Sequence, residues 1–434
     1  MAYPAQPRAN SEGSLEKGSW LSKLGPGLIT GAADDDPSGI ASYSQAGAQF
    51  GLGMLWTLIF TYPLMVGIQV VSAQIGRVTG HGLATNLRRH YPGWLLYSIV
   101  DLLLTANTIN IAADVAAMGE AARLIAGGHA HFYAIGFGLL SVLLQVFVPY
   151  SRYVRVLKWL TLALLAYVGT VFVVHIPWHD FLSRAVLPAA LPWKPEYITT
   201  MVAVLGTTIS PYLFFWQASQ EVEELNAKPG AKALRSTPRL ARADFLRIKI
   251  DTYIGMGFSN LVAFFIMLTT AVTLNAHGVT DIQTAAQAAM ALRPVAGDFA
   301  FVLFTCGIVG TGMLAVPVLA GSAAYAMAGT FRWKNSLEYS ASAAPQFYAI
   351  IAVATAIGTL LIFTPIDPMK ALYWSAVING VISVPIMAVM MLMAARKDVM
   401  GHLVIRPRLK RLGWLATAVM AAAVTAMLVM LATS

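Results

Sequence analysis

The sequence predicts an all-α membrane protein of about eleven transmembrane helices, arranged as two five-helix repeats followed by one further helix. The first observation behind this class is composition, because 57% of the 434 residues are hydrophobic and only 11% are charged. Soluble domains carry roughly 25% charged residues. The second is that the hydrophobic residues occur in long runs such as 261–274 and 414–432. The third is that two of the runs are interrupted by proline at matching places.

The hydropathy of the chain sets the predicted spans, since a helix needs about 20 mainly apolar residues to cross a bilayer. Several runs exceed that length, so we expect tilted or interrupted helices. The predicted spans lie near 24–52, 53–77, 94–127, 131–150, 155–176, 196–222, 248–275, 298–330, 342–364, 368–395 and 412–432.

These spans divide the chain into two regions. Residues 1–20 are polar and predict a disordered cytoplasmic tail, not a cleaved signal peptide. Residues 21–434 predict a single transmembrane transporter domain. Within it, repeat one lies near 24–176, repeat two near 196–395, and the extra helix near 412–432.

Basic residues lie in the gaps between the spans, so the net charge of +9 does not indicate a nucleic-acid partner. Most lysines and arginines fall on one side if the N-terminus is cytoplasmic, and the largest group lies between 228 and 249. The positive-inside rule therefore predicts a cytoplasmic N-terminus and, with eleven spans, a C-terminus on the far side. We expect an integral protein of a bacterial inner (plasma) membrane. The single cysteine, Cys306, excludes an intramolecular disulfide.

Two spans are broken at corresponding positions of the two repeats. The run Asp34-Asp35-Asp36-Pro37 interrupts the first span, and the run from Thr207 to Tyr212, which contains Ser210-Pro211, interrupts the sixth. Proline removes a helical N–H group and clashes with the preceding turn. It also pushes the residue before it out of the helical conformation. A matched pair of broken helices is typical of inverted-repeat transporters, whose substrate site lies at the bilayer midplane.

The chemistry of these breaks favours a cation. A half-helix that ends at a break leaves carbonyl groups without partners and carries a partial negative charge. A carboxylate such as Asp36 beside those carbonyls makes an oxygen-rich cation site. Because a charge at membrane depth costs roughly a few kcal/mol or more, intramembrane carboxylates indicate function. The alternative is that Pro37 and Pro211 only kink two packed helices.

The first two spans resemble the NRAMP family of divalent-metal transporters. Leu24-Gly-Pro-Gly-Leu followed by Asp36-Pro37-Ser38-Gly39 is similar to the family's first helix, whose signature is Asp-Pro-Gly-Asn. The stretch 72–80, with Tyr91-Pro92, is similar to the end of the second helix and the first cytoplasmic loop. The resemblance covers about Leu24 to Met393. It implies a LeuT-type fold with the metal bound between the unwound parts of spans one and six.

At the two breaks, the chain departs from this family pattern at three positions. Gly39 replaces the asparagine of the signature, Ser210 stands in place of a methionine, and Tyr212 stands in place of a histidine. Loss of the sulfur ligand favours hard cations over transition metals, and smaller side chains leave room for a Mg²⁺ ion that keeps several waters. The pattern resembles the NRAMP-related magnesium transporter branch, with Mn²⁺ tolerated. The predicted metal-binding residues are Asp36, Asp35, Gly39, Thr207 and Ser210, with Pro37 and Pro211 as the helix breaks.

Further polar residues within the spans are candidates for an ion path. Asp114 matches the family's aspartate in span three, but Ala117 stands where the family has a glutamate linked to proton movement. With Tyr212 in place of histidine, this change predicts transport without proton coupling. Hydrogen bonding between helices is the alternative role for Asp114 and Glu120, and a solvated helix end is the alternative for Glu221. The predicted path comprises Asp34, Asp114, Glu120, Tyr212, Gln217 and Glu221, and Asp251 is expected to form an interfacial salt bridge.

Other functional classes fit the sequence less well. The alternatives are a proton-coupled Mn²⁺/Fe²⁺ transporter of the usual NRAMP type and a LeuT-fold amino-acid carrier, although three aspartates at the break would repel a substrate carboxylate. Matched breaks favour alternating access over an ion channel. The sequence contains no G-x-x-x-x-G-K-[ST] loop, the motif that would indicate an ATP-driven pump. It also contains no nucleophile–base pair or His-rich group that would predict an enzyme. We expect a monomer in the lipid bilayer, with a divalent metal ion as substrate and no cofactor.

Overall fold

The computed structural model of the chain describes residues 26–148, 161–174, 192–228 and 230–433. The predicted tail 1–20 lies outside these residues, as do parts of the predicted spans 131–150 and 155–176. The described chain contains helices, turns and loops, and it has no β-strand. This agrees with the all-α class that the composition predicts.

The fold is built from fifteen main helices within the described residues. In chain order they are α1 (Pro26–Asp34), α2 (Pro37–Phe50), α3 (Leu55–Thr79), α4 (Leu83–His90), α5 (Gly93–Ala126), α6 (Ala130–Phe147), α7 (Leu165–Val173), α8 (Pro195–Thr208), α9 (Pro211–Ala227), α10 (Ala241–Thr273), α11 (Ala285–Met290), α12 (Ala300–Phe331), α13 (Pro345–Leu360), α14 (Pro368–Ala395) and α15 (Pro407–Thr433).

Within the described residues, nine helical segments are long and apolar enough to cross a membrane. One of them, Pro37–Thr79, joins α2 and α3 and therefore covers parts of two predicted spans. A shorter apolar helix, Leu162–Val173, falls within the predicted fifth span. Helix α1 is too short to cross by itself and is the first half of the broken first span. Each of the eleven predicted spans therefore contains helical residues, as the prediction requires.

Both breaks lie where the prolines predict them. Pro37 and Pro211 are the first residues of α2 and α9. The residue before each proline is extended, with φ −72° and ψ 168° at Asp36 and φ −80° and ψ 135° at Ser210. The proline ring excludes the helical conformation from the preceding residue, so each helix stops and restarts at this point. Proline fits the first position of the new helix because the N–H group it lacks would have no partner there.

The same helix contacts recur in the two predicted repeats. Helix α2, the second half of the first break, packs on α10, and helix α9, the second half of the second break, packs on α3. In repeat order α3 corresponds to α10, so the two contacts are related by the predicted internal symmetry. Helices α5 and α12, the third helix of each repeat, pack directly on each other.

Helix α1 lies unusually close to α10. Added to Gly31, a Cβ atom would overlap the backbone of Gly255 in α10. At the start of α1, the backbone N–H of Gly27 donates to the Asp251 carboxylate at 2.6 Å. Asp251 is buried and satisfies one of the free N–H groups of the α1 N-terminus. The sequence predicts an interfacial salt bridge for Asp251, and the structure adds this capping contact with α1, since α10 passes directly beside α1.

The glycine contact predicts a stability difference between two otherwise similar substitutions. Gly31→Ala should lower the free energy of unfolding by about 1–3 kcal/mol, because the new methyl group forces α1 away from α10. Gly136→Ala in α6 should be neutral or slightly stabilising, because nothing lies within 4 Å of its added Cβ and alanine favours helix. Thermal unfolding of the two detergent-solubilised variants measures the difference. Equal melting temperatures would contradict the close contact.

Candidate metal centre

Asp36 is the centre of the polar contacts at the first break. Its Oδ1 accepts hydrogen bonds from the Gly39 N–H at 2.8 Å and from Ser38 Oγ at 2.6 Å. Its Oδ2 accepts from Asn110 Nδ2 at 3.1 Å and from the Tyr212 hydroxyl at 3.2 Å. The side chain therefore caps the N-terminus of α2. At 1% exposure it is closed off from solvent.

Tyr212 connects the two breaks. Besides its contact with Asp36, its hydroxyl lies 3.1 Å from the carbonyl oxygen of Ala33, near the end of α1. Tyr212 itself is the second residue of α9. One side chain of the second repeat thus contacts both the last turn of the first half-helix and the carboxylate that starts the next one. The resemblance predicted this position for the ion path, and the structure puts it directly against Asp36.

At the second break, hydroxyl groups donate hydrogen bonds to backbone carbonyls that the end of α8 leaves without partners. Ser210 Oγ donates to the carbonyl oxygens of Gly206 and Thr207, both at 2.8 Å. Thr207 also faces the first break, since its Oγ1 would lie 3.0 Å from a Cβ atom added to Gly39. The ring of Tyr43 lies 3.2 Å from the same point. Glycine at position 39 therefore allows α2 and α8 to come this close.

Asp34 and Asp35 face a different helix from Asp36. The Ser259 hydroxyl of α10 lies 2.7 Å from Asp34 Oδ2 and 2.9 Å from Asp35 Oδ1. Both aspartates are buried, and Asp34 Oδ1 forms no hydrogen bond within the described chain. The structure therefore divides the three consecutive aspartates into one residue directed toward α5 and α9 and two directed toward α10.

Asp114 and Asn110 lie one helical turn apart on α5 and are both fully buried. Neither carboxylate oxygen of Asp114 has a hydrogen-bond partner among the described residues. Asn110 contacts Asp36, and its Oδ1 accepts a hydrogen bond from Asn379 of α14 at 3.3 Å. Asn110 thereby links the first break to the second repeat.

The remaining predicted path residues occupy two different places. Gln217 accepts a hydrogen bond from Thr30 Oγ1, which joins α9 to α1. Glu221 is buried and pairs with Arg247 of α10 at 2.5 Å. These two residues lie along α9, about two and three turns beyond the break. Glu120 instead pairs with Arg123 on α5 and is partly exposed, so its carboxylate does not contact Asp36.

The arrangement can bind a cation through oxygen atoms from several helices. Asp36 supplies the carboxylate, and the ends of α1 and α8 supply carbonyl groups that hydroxyl side chains now cover. Within the described residues, no three His, Cys, Asp or Glu side chains cluster as a ready metal site. Binding therefore requires the hydroxyl and amide donors around Asp36 to give way to the ion.

Four residues of this centre are absent from the predicted site. Asn110 lies on the same face of α5 as Asp114, four residues away, so helical spacing could have indicated it. Ser38 directly follows Pro37 and is a typical hydroxyl partner for a capping carboxylate. Ser259 and Asn379 are distant in sequence from both breaks. Only the packing of α10 and α14 against the breaks brings them into contact.

The Tyr212 contacts predict that loss of its hydroxyl lowers stability without weakening metal binding. Tyr212→Phe should lower the free energy of unfolding of the metal-free protein by about 1–2 kcal/mol, because the Ala33 carbonyl and Asp36 each lose a donor. Metal affinity should not fall, because the lost hydroxyl competes with the ion for Asp36. Thermal unfolding and calorimetric titration measure the two effects. Tyr133→Phe is the control, since the Tyr133 hydroxyl has no hydrogen bond in the described structure. A Tyr212→Phe protein with weakened binding and unchanged stability would contradict the assignment.

Comparisons with known proteins agree with this architecture. A model of the family described as "Natural resistance-associated macrophage protein-like" (Nramp) matches residues 27–430. A manganese transporter from Eremococcus coleocola, solved with an aromatic bis-isothiourea compound, aligns with a TM-score of 0.74 at 15% identity, over 97% of this chain and 89% of its own.

More distant structures share the fold as well. Mhp1, a nucleobase-cation-symport-1 family transporter with bromovinylhydantoin bound, aligns with a TM-score of 0.59 at 13% identity, over 95% of this chain and 93% of its own. A Na⁺-coupled sialic acid symporter aligns with a TM-score of 0.59 at 12% identity, over 93% and 89%. At these identities the likeness concerns the fold, and it confirms the predicted LeuT type. Because the family model spans residues 27–430, the chain belongs to the Nramp family, a family of transporters and not of enzymes.

Proposed function

We propose that this chain transports divalent metal cations by alternating access, with Mg²⁺ preferred, Mn²⁺ tolerated and no coupling to protons. Membership of the Nramp family supports divalent-metal transport. The proposed preference for Mg²⁺ rests on Ser210, which places a hydroxyl group and no sulfur at the second break. In the proposed orientation the N-terminus is cytoplasmic in a bacterial inner membrane, as the basic residues predict.

The donor atoms around Asp36 support a hard cation. The groups within hydrogen-bonding distance of this carboxylate are hydroxyl, amide and backbone groups. Carboxylate, carbonyl and hydroxyl oxygens suit Mg²⁺, Ca²⁺ and Mn²⁺, whereas sulfur ligands favour softer metals. The proposed ligands are Asp36 and the Thr207 carbonyl, with Ser210 and Gly39 shaping the space. The hydroxyls of Ser210 and Tyr212 donate to carbonyl oxygens at the two breaks, which an ion would have to displace in order to bind there.

The charge of the centre favours a small cation over a carboxylate substrate. Asp34, Asp35, Asp36 and Asp114 are all buried. Among the described residues, no lysine, arginine or histidine forms an ion pair with any of them. The attraction of unpaired carboxylates for a divalent ion is strong where water is excluded. This surplus of negative charge opposes the binding of an amino-acid carboxylate, and Asp34 and Asp35 add to it without contacting Asp36.

Space for a hydrated ion depends on separation of the two broken helices. In the present conformation, Thr207 and Tyr43 fill the region beside Gly39. Because Gly39 has no side chain, movement of α2 away from α8 would open a cavity lined mainly by oxygen atoms. A Mg²⁺ ion usually keeps several waters in protein sites. The glycine therefore permits the close contact seen here and would leave room for the ion if the helices separate.

Transport by reconstituted protein tests the proposal. Proteoliposomes with a Mg²⁺ indicator and a pH indicator inside should show Mg²⁺ influx without acidification, and Mn²⁺ should compete with it. Asp36→Asn should reduce influx by about tenfold or more, because the only carboxylate at the proposed ligand position is lost. Asp281→Asn, an exposed position far from the breaks in sequence, removes the same charge and should leave influx unchanged.

Two outcomes of this assay would overturn parts of the proposal. Mg²⁺ would be excluded as a substrate if Mn²⁺ enters the vesicles while excess Mg²⁺ neither enters nor inhibits Mn²⁺ influx. Wild-type influx in Asp36→Asn would remove the site assignment, because binding would then not involve this carboxylate.

The absence of sulfur at the second break predicts that selectivity can be changed by one residue. Ser210→Met should raise the preference for Mn²⁺ over Mg²⁺ by about tenfold, because a thioether binds transition metals and not Mg²⁺. Competition between the two ions in calorimetry measures this ratio. Ser210→Ala is the matched control, since it removes the same hydroxyl without adding sulfur. A ratio that moves equally in both variants would show that position 210 does not contact the ion.

A second candidate function rests on Asp114. A fully buried carboxylate without a hydrogen-bond partner in the described structure is well placed to accept a proton, which favours a proton-coupled Mn²⁺/Fe²⁺ transporter. Against it, Ala117 and Tyr212 occupy the positions of the glutamate and histidine that the family resemblance links to proton movement. The internal pH indicator decides between the two, because proton-coupled uptake acidifies the vesicle in step with metal entry.

A further inference from the structure

A cleft on the outside of the helix bundle lies away from the metal centre. It opens between α5 and the end of α12, with a volume of about 460 Å³. One part of its wall is polar and includes Ser98, Asp101 and Thr330. The other part is apolar and includes Leu104 and Met327, one turn further into the bundle along each helix. The cleft is therefore amphipathic along the direction of the helices.

Exposed aromatic side chains place this cleft at a membrane boundary. Tyr97 and Phe331 form its rim, with ring centroids 6.5 Å apart, and Phe331 stacks on Trp333 at 5.1 Å. Trp94, one turn before Tyr97, is 70% exposed. Exposed tryptophan and tyrosine residues concentrate at the interface between lipid head groups and hydrocarbon. The occupant of the cleft is therefore expected to come from the membrane.

The length of α5 also places Asp101 at the membrane boundary. The helix has 34 residues, which corresponds to about 51 Å, while the hydrocarbon core is about 30 Å thick. If α5 is centred in the bilayer, about 10 Å of it extends beyond the core at each end. Asp101 lies eight residues after the start of the helix at Gly93, about 12 Å along its axis. Its carboxylate is thus at the edge of the hydrocarbon, at head-group depth.

Asp101 is exposed and lines the cleft. It has no ion-pair or hydrogen-bond partner among the described residues. Arg88 and Arg89 precede the start of α5 and Arg332 follows the end of α12, but no described salt bridge joins Asp101 to any of them. At head-group depth, this exposed carboxylate is accessible to a cationic group of a lipid. A cationic group from the membrane would satisfy it.

A basic cluster lies beside the same cleft. Arg88 Nη1 donates to the carbonyl oxygen of Gly329 at 2.8 Å and of Thr330 at 3.4 Å, which holds its guanidinium next to the cleft wall. Partial burial, Arg332 and Arg89 together lower the pKa of Arg88. None of the three arginines pairs with a carboxylate in the described chain. An anionic group would therefore be attracted beside Arg88 and Arg332.

We propose that this cleft binds a zwitterionic phospholipid that carries a primary ammonium group. The ammonium binds Asp101, the phosphate binds Arg88 and Arg332, and the first part of an acyl chain lies along Leu104 and Met327. A free divalent cation would satisfy Asp101 but not the arginines, and a purely anionic lipid would satisfy the arginines but not Asp101. Among common membrane lipids, phosphatidylethanolamine has both charges and can donate hydrogen bonds to the carboxylate.

Lipid binding to the purified transporter tests this assignment. The probes are phosphatidylethanolamine and phosphatidylglycerol with identical acyl chains, titrated into the detergent-solubilised full chain and followed by native mass spectrometry. The wild type should bind phosphatidylethanolamine about tenfold more tightly than phosphatidylglycerol, because only the former contributes a charge-assisted hydrogen bond to Asp101. Asp101→Asn should remove that difference, and Arg332→Gln should weaken the binding of both lipids.

Asp281→Asn is the matched control, because it removes one exposed carboxylate away from the cleft and should keep the wild-type lipid preference. The melting temperature of each variant shows whether it is folded. The proposal is overturned if the wild type binds phosphatidylglycerol as tightly as phosphatidylethanolamine. It is also overturned if Asp101→Asn and Asp281→Asn show the same preference. Metal binding at Asp36 does not enter these measurements, so failure here leaves the proposed transport function untouched.

Discussion

The hydrogen bonds of Asp36 are the interaction on which the centre of this protein depends. Pro37 forces the residue before it into an extended conformation, so the carboxylate of that residue turns back to cap α2. Its remaining oxygen is then held by α5 and α9 through Asn110 and Tyr212. One side chain thereby joins both halves of the first break, the second break and the central helix α5. Any movement that opens the site must change these contacts.

Buried carboxylates have different partners at the first break and near the end of α9. The buried aspartates at the first break have hydroxyl and amide partners, whereas Glu221 and Glu224 of α9 have Arg247 as an ionic partner. A buried carboxylate paired with arginine is neutralised, and breaking such a pair is costly. The unpaired carboxylates remain available for a cation. Helix α9 therefore contacts the unpaired Asp36 at its start and carries arginine-paired glutamates at its end.

Helix α1 is held against its neighbours by contacts of two kinds. Helix α1 packs on α10 through glycine, without intervening side chains, and is capped there by Asp251. By contrast, single hydrogen bonds such as that from Thr30 to Gln217 join α1 to α9. A hydrogen bond can be exchanged with water at small net free energy, while backbone contact requires two helices to stay together. The difference favours movement of α1 and α10 as a unit relative to α9, since only the weaker contacts then need to break.

The sequence alone determined the membrane class, the approximate spans and the positions of both breaks, because hydrophobicity and proline act locally along the chain. It also identified Asp36, since a carboxylate before proline in an apolar run is a local signal. The direction of each aspartate was decided only by tertiary structure. Asp35 and Asp36 are adjacent, yet they face α10 and α5 respectively, because the chain leaves its helical path between them. Asn379 and Ser259, and the capping contact of Asp251 with α1, could not be found from local pattern, for the same physical reason. Their roles arise from helices distant in sequence, and no periodicity within one helix records which neighbour will lie against it.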